Sequence, residues 1–273
     1  MSRYFAIREF IRHFARARTV YNIHSPFLYQ WAQDVLEDDR HYYAFDELEA
    51  LRQKLLHVDT EIEVRDYGAG PRGGAVSRRR ISEIARTSLI TPAKGRWLFR
   101  MVQAAGPATI LELGTAFGLS ALYMKNAARK ARLVTLEGNP ASVRIARKNF
   151  SIFPHTRDIK VLEGHFSANL PKALAGLGSV DFVFMDGHHR QAPTLEYFEV
   201  IRPYLHTGSV VVLDDIYWSG DMASAWRELS ARPDVRLSVD MYYFGVLFFR
   251  EENIEKLHLR VLPSAWKPWV RSW

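Results

Sequence analysis

Apolar residues follow two rhythms along this chain, and the change between them comes near residue 107. Before it, Tyr4, Ile7, Ile11 and Phe14 recur at helical spacing, and the same period predicts helices over 4–18, 26–37, 44–56 and 78–88. Ser25-Pro26 is a start signal for the second helix, a capping hydroxyl followed by a residue with no amide to satisfy. Beyond residue 107, short apolar runs alternate with amphipathic stretches. Strands are predicted at Thr109–Gly114, Arg132–Gly138, Ile159–Gly164, Val180–Gly187 and Ser209–Ile216. The helices between and after them fall near 119–130, 140–152, 167–175, 193–205 and 221–231. Asp181-Phe-Val-Phe-Met185 and Val210-Val-Val-Leu213 are apolar on both faces, as parallel strands covered by helices on each side must be. This alternation predicts an α/β fold with a doubly wound, mostly parallel sheet. The last two strands, near 235–240 and 242–249, are too close together for a helical crossover and are predicted to be antiparallel. The chain thus reads as a helical N-terminal extension over 1–91, a sheet domain over 92–252 and a tail over 253–273.

Composition narrows the chemistry. With 273 residues, 48% hydrophobic and 25% charged, the chain can bury a sizeable core, and disorder and rod-like architectures are excluded. There is no cysteine, hence no disulfide, thiolate metal site or cysteine nucleophile. No apolar run is long enough to span a bilayer, for which roughly 18–20 residues are needed. Arg3, Arg8, Arg12, Arg16 and Arg18 make the first helix basic and amphipathic, open to a transit or membrane-surface role, but a soluble cytoplasmic setting is the expectation. The formal charge is +7. Between Pro71 and Arg100, eight basic residues face one acid, Glu83. That run is either a solvated helix face or a collar for an anionic substrate or nucleic acid.

In a doubly wound sheet the ligand lies beyond the C-terminal strand ends, where strand order reverses. The first strand ends Glu112-Leu-Gly-Thr-Ala-Phe-Gly-Leu-Ser120, and Gly114 and Gly118 allow a tight turn and close approach to a ligand. The second ends in Glu137, whose carboxylate can accept two hydrogen bonds from the cis hydroxyls of a ribose. The pair implies a nucleoside-containing cofactor. Gly114-x-x-x-Gly118 lacks the G-x-G-x-x-G spacing that seats a pyrophosphate. Glu112 within the strand end instead suits a cationic, phosphate-free ligand, and S-adenosylmethionine, with its ammonium and sulfonium, meets that description. Asp66-Tyr-Gly-Ala-Gly70 imitates the same motif, but no second strand with a ribose acid follows it. It reads as a turn that could line a substrate pocket.

The Glu112–Ser120 turn resembles the E-[IL]-G-x-x-x-G-[YL]-S motif of class I S-adenosylmethionine-dependent O-methyltransferases, and the likeness spans roughly 92–250. The resemblance implies a Rossmann-like, seven-stranded sheet. It places Glu112, Gly114, Thr115, Gly118 and Ser120 around the methionine part of the cofactor and Glu137, followed by Gly138, at the ribose. The loop Gly164-His165-Phe166 falls near the adenine, with His165 where an acid is common in the family.

Strand four ends Met185-Asp-Gly-His-His189 and strand five ends Leu213-Asp-Asp215. Asp186, Asp214 and Asp215 are expected to converge, with Asp186 also near the cofactor. Three adjacent carboxylates call for a hard divalent ion, Mg²⁺ first. Such an ion would orient and acidify an acceptor hydroxyl, and His189 would accept its proton. In catechol and caffeoyl-CoA O-methyltransferases a Lys stands where His189 does and an Asn where Asp215 does. The Asp-x-x-His pattern followed by paired acids resembles the metal-dependent enzymes of macrolide sugars, where the matching His is the base. Each position also has a plain structural reading: Asp186 as a turn cap, Asp214 and Asp215 as caps, His188 as packing. The expected function is metal-assisted O-methylation of a small hydroxylated molecule by a homo-oligomer, with the N-terminal helices as lid. The alternatives are a nucleic-acid methyltransferase working through the basic 72–100 run and a non-catalytic cofactor-binding protein.

Overall fold

The computed structural model describes residues 3–65, 76–251 and 255–270. The chain divides into two compact units: Arg40–Gly178, and Met1–Asp39 together with Ser179–Trp273. The chain opens, in the discontinuous unit, with α1 (Arg3–Arg16) and α2 (Pro26–Ala32). Ser25 caps α2, its hydroxyl accepting from the Leu28 amide at 3.4 Å. The predicted 26–37 helix changes character on the way, loosening into a π-helix over Gln33–Glu37.

The continuous unit begins with α3 (Tyr43–Leu56), β1 (Glu61–Arg65), β2 (Val76–Arg80), α4 (Ile81–Ser88) and α5 (Pro92–Ala105). Here the predicted 78–88 helix needs correction, because its first three residues are strand. β2 pairs antiparallel with β1 and sets Arg80 opposite Glu61 and Arg78 opposite Glu63. Opposite charges across a strand pair stabilise it by a few tenths of a kcal/mol each. A polar run can therefore be held extended without an apolar pattern to announce it. The Asp66–Gly74 loop lies outside the described residues. Helix α5, which the apolar pattern did not single out, is delimited by Thr91 as cap, Pro92 in its first turn and Gly106 in the left-handed region at φ 58°.

Next come β3 (Thr109–Leu113), α6 (Leu119–Ala127), β4 (Arg132–Glu137), α7 (Pro140–Ile152), β5 (Lys160–Glu163) and α8 (Phe166–Leu177). β3 pairs parallel with β4, and β4 with β5. Every residue of β3 is buried, as a strand covered on both faces requires.

The discontinuous unit resumes with β6 (Phe182–Met185), α9 (Gln191–Ile201), β7 (Val210–Asp214), α10 (Gly220–Ala231), β8 (Leu237–Asp240), β9 (Phe244–Phe248) and β10 (Leu257–Arg260). β6 and β7 are parallel, and β9 runs antiparallel to both β7 and β8, as predicted for the closing pair. β10 adds a strand parallel to β8. The described residues thus contribute eight strands to the sheet instead of seven, the extra one coming from what reads in sequence as a tail. The architecture is a mostly parallel, helix-flanked Rossmann-like sheet.

Candidate functional site

The turn after β3 is closed by its own side chains. Glu112 is fully buried, and its two carboxyl oxygens accept from the Ser120 and Thr135 hydroxyls, both at 2.5 Å. Thr135 in turn shares a hydrogen bond of 2.5 Å with Thr115. Burial raises the Glu112 pKa to about 7, against the lowering effect of the two hydroxyls. Glu112, Thr115 and Ser120 therefore form one polar chain inside the unit. Thr135 is the member that sequence reasoning missed, and its only signal is a hydroxyl within an otherwise apolar strand.

Gly114 and Gly118 have φ of 101° and 86°, and Ala116 between them has 45°. A Cβ on Gly118 would also stand 2.4 Å from the Phe150 ring. The second glycine is thus demanded by packing against α7 as well as by the turn. Along the turn and at the end of β4, Gly114, Ala116 and Glu137 are half-buried, whereas their neighbours Leu113, Thr115, Phe117 and Leu136 are buried. The Glu137 carboxylate closes β4, its oxygens accepting from the Ala116 and Asn139 amides at 2.8 Å each. Those bonds fix the carboxylate and leave acceptor positions over for further donors. Burial outweighs them and keeps the Glu137 pKa raised. Gly164, at φ 124°, is tied to Glu137 through its amide, which donates to the Glu137 carbonyl at 2.9 Å. His165 is exposed and precedes α8, while Phe166 is buried.

In the other unit, β6 and β7 end at Met185 and Asp214, with Met185 and Leu213 as the last paired positions. Three non-glycine residues just past these ends take left-handed backbone: His188 at φ 63°, His189 at 32° and Asp215 at 52°. Such conformations cost on the order of 1–3 kcal/mol each and gather at functional sites. His189 Nε2 lies 3.5 Å from Asp186 Oδ1. His188 Nδ1 pairs with the Tyr197 hydroxyl at 3.1 Å, a structural anchor. The Trp218 ring, itself exposed, is centred 6.1 Å from His189.

The expected metal triad is not assembled. Among the described residues, no group of three or more His, Asp or Glu side chains is placed to hold a metal ion. Asp214 is buried at 3% exposure, and its Oδ1 accepts from the Asp215 amide at 2.7 Å, while Asp186 faces His189. In this arrangement the carboxylates do not meet the many-oxygen demand of Mg²⁺.

The basic run is dispersed. Arg72 lies outside the described residues. Arg80 reaches Asp59 at 3.9 Å, Arg86 donates to the Leu56 carbonyl, and Arg96 and Arg100 stack over Phe45. No helix among the described residues is long and apolar enough to cross a membrane.

Comparison with known proteins shows what this part of the chain is similar to. Residues 111–216 match the family described as a methyltransferase domain. Two curated relatives agree in type. A catechol O-methyltransferase of Niastella koreensis is 30% identical over 149 residues, 54% of this chain and 65% of that one. An O-methyltransferase of Mycobacterium tuberculosis, named as a probable one, is 34% identical over 133 residues, 45% of this chain and 55% of that one. The chain thus spans less than two thirds of the length of these relatives. Among solved structures, an SAH-bound methyltransferase of Podospora anserina superposes with a TM-score of 0.57 at 16% identity, covering 92% of this chain and 97% of that one. At that identity the likeness is one of fold. The matched stretch includes the Gly114–Ser120 turn, Glu137, and the strand ends that bear Asp186, His189, Asp214 and Asp215.

Proposed function

We propose that this protein is an S-adenosylmethionine-dependent O-methyltransferase acting on a small hydroxylated molecule. The observation that carries the reading is Glu137: a fixed, half-buried carboxylate at the end of β4, bonded to the glycine turn through the Ala116 amide. Its remaining acceptor positions suit the two ribose hydroxyls. The backbone at Gly114 and Ala116 takes the methionine portion, and Gly164-His165 borders the adenine. Glu112, Thr115 and Ser120 act on the cofactor by holding the turn. When bound, the cofactor supplies a methyl group activated by its sulfonium.

The protein's own task is to take the acceptor's proton. His189, its Nε2 3.5 Å from Asp186 Oδ1, serves as the base. The Asp186 charge then stabilises the imidazolium that forms. Trp218 offers a flat apolar wall next to that base. A divalent ion would join this scheme only if the aspartates were re-aimed.

Glu137→Ala tests the cofactor assignment by calorimetry with S-adenosylhomocysteine. Loss of two hydrogen bonds to a charged acceptor, about 1.5 kcal/mol each, should weaken binding roughly 100-fold. An unchanged dissociation constant rejects it.

A further inference from the structure

The discontinuous unit holds a second concavity that methyl transfer does not call for. It is a cavity of about 370 Å³ bounded by α1, α10 and β10. From α1, Arg8, Arg12 and Arg16 line it at four-residue intervals, so the three guanidinium groups share one helix face. Arg227 of α10 and Arg260 of β10 line it as well. Against these five cations the lining holds one acid, Glu9, which Arg8 and Arg12 already share at 2.9 Å each.

One buried acid lies behind the wall. Asp240 is fully buried and accepts from Tyr217 at 2.6 Å and from the Tyr242 amide at 3.0 Å, while His13 Nε2 stands 3.0 Å from its Oδ1. Burial works to raise the Asp240 pKa, but the His13 and Tyr217 contacts prevail and hold it below the usual carboxylate range. Arg260 reaches the same carboxylate at 3.4 Å. The two acids therefore leave the lining with surplus positive charge. His13 is 1% exposed, and its Nδ1 has no hydrogen-bond partner among the described residues. A buried polar atom left in that state costs roughly 1–3 kcal/mol, which a structure tolerates where a ligand or function repays it.

From this wall we infer that the cavity is a binding site for a phosphate-class anion. Guanidinium forks recognise phosphate oxygens in pairs, and arginines converging from separate elements match a group with several such oxygens. The volume lies within the range of small-ligand sites and exceeds a single phosphate's need. Phe5 and Trp226 give the remainder of the lining an apolar character suited to the body of a larger ligand. The anion is either a soluble phosphoanhydride or a phospholipid headgroup. The second source is motivated by the stripe of Tyr4, Ile7 and Ile11, exposed by 75%, 58% and 61% on the same helix.

The test uses the full chain, with inorganic pyrophosphate by calorimetry and flotation on vesicles with and without phosphatidylglycerol. Pyrophosphate should bind in the micromolar range, and the Arg12→Ala/Arg227→Ala double variant should bind at least tenfold more weakly. Both side chains are exposed, so the fold should survive, and an unchanged Tm would verify that independently of the methyltransferase reading. Pyrophosphate binding without flotation assigns the soluble source. Flotation on phosphatidylglycerol vesicles alone, displaced by pyrophosphate and lost in the variant, assigns the headgroup. Absence of both, or binding that the double variant leaves unaltered, overturns the site.

Discussion

The glycine turn after β3 and the loops after β6 and β7 are both strand ends, yet they are built in opposite ways. In the first, left-handed backbone falls mainly on Gly114 and Gly118, and the polar side chains bond one another in a buried chain from Ser120 through Glu112 and Thr135 to Thr115. In the second, left-handed backbone falls on His188, His189 and Asp215, which carry a steric cost that glycine would avoid. Under the proposed function the contrast separates two tasks. A cofactor cradle must keep its shape, so its residues satisfy each other. A site that handles a proton needs a side chain at the strained position, and the surrounding strands must hold it there.

The sharpest way to break this contrast is His189→Ala. If the loop after β6 performs proton transfer, turnover on a hydroxylated acceptor such as catechol should fall by roughly 10²–10⁴ while cofactor affinity is kept. Wild-type turnover would leave the strained histidine without a chemical role. The same assay with a chelator, then with added Mg²⁺, shows whether the aspartates can be re-aimed around an ion.

Glu112→Gln probes the buried chain in the cradle. The Glu112 pKa is raised in the fold from 4.5 to about 7, so the folded state holds a proton that the unfolded chain gives up. Its favourable contribution is full below pH 4.5 and is lost as the pH rises through about 7. At 1.36 kcal/mol per pKa unit the loss is about 3 kcal/mol, and the Gln variant should lack that part of the stability–pH slope in denaturant titrations. An identical slope in the two proteins would mean that Glu112 does not titrate as a buried acid.

Smallest in effect is Asp215→Gly. Removing the Cβ at a φ of 52° should raise stability by about 0.5–1 kcal/mol, measurable as a higher Tm, because the relief of strain exceeds the entropy glycine adds to the unfolded chain. A drop in Tm would show that the Asp215 side chain holds the loop, and its backbone would then be no reservoir of strain.

Much of the sheet is legible in the sequence because a buried parallel strand has to be apolar on both faces, and Asp181–Met185 or Val210–Leu213 can be little else. The turn is legible for a related reason, since glycines at 114 and 118 mark backbone that other residues adopt only at a cost. β2 is not legible: Ser77-Arg78-Arg79-Arg80 becomes a strand through the acids of β1 opposite it. β10 escapes notice because four residues with alternating burial carry too little pattern.

The linear order of residues was enough to determine the βα alternation, the glycine turn after β3 and the carboxylate that closes β4, since each rests on local periodicity or on one residue's backbone freedom. Side-chain partnership was decided in three dimensions. Whether Glu112 faces a ligand or two hydroxyls, whether three aspartates share an ion, and whether arginines from a helix, a second helix and an edge strand enclose one cavity all depend on which elements pack together. Those distances are set by residues far apart in the chain, and no local pattern encodes them.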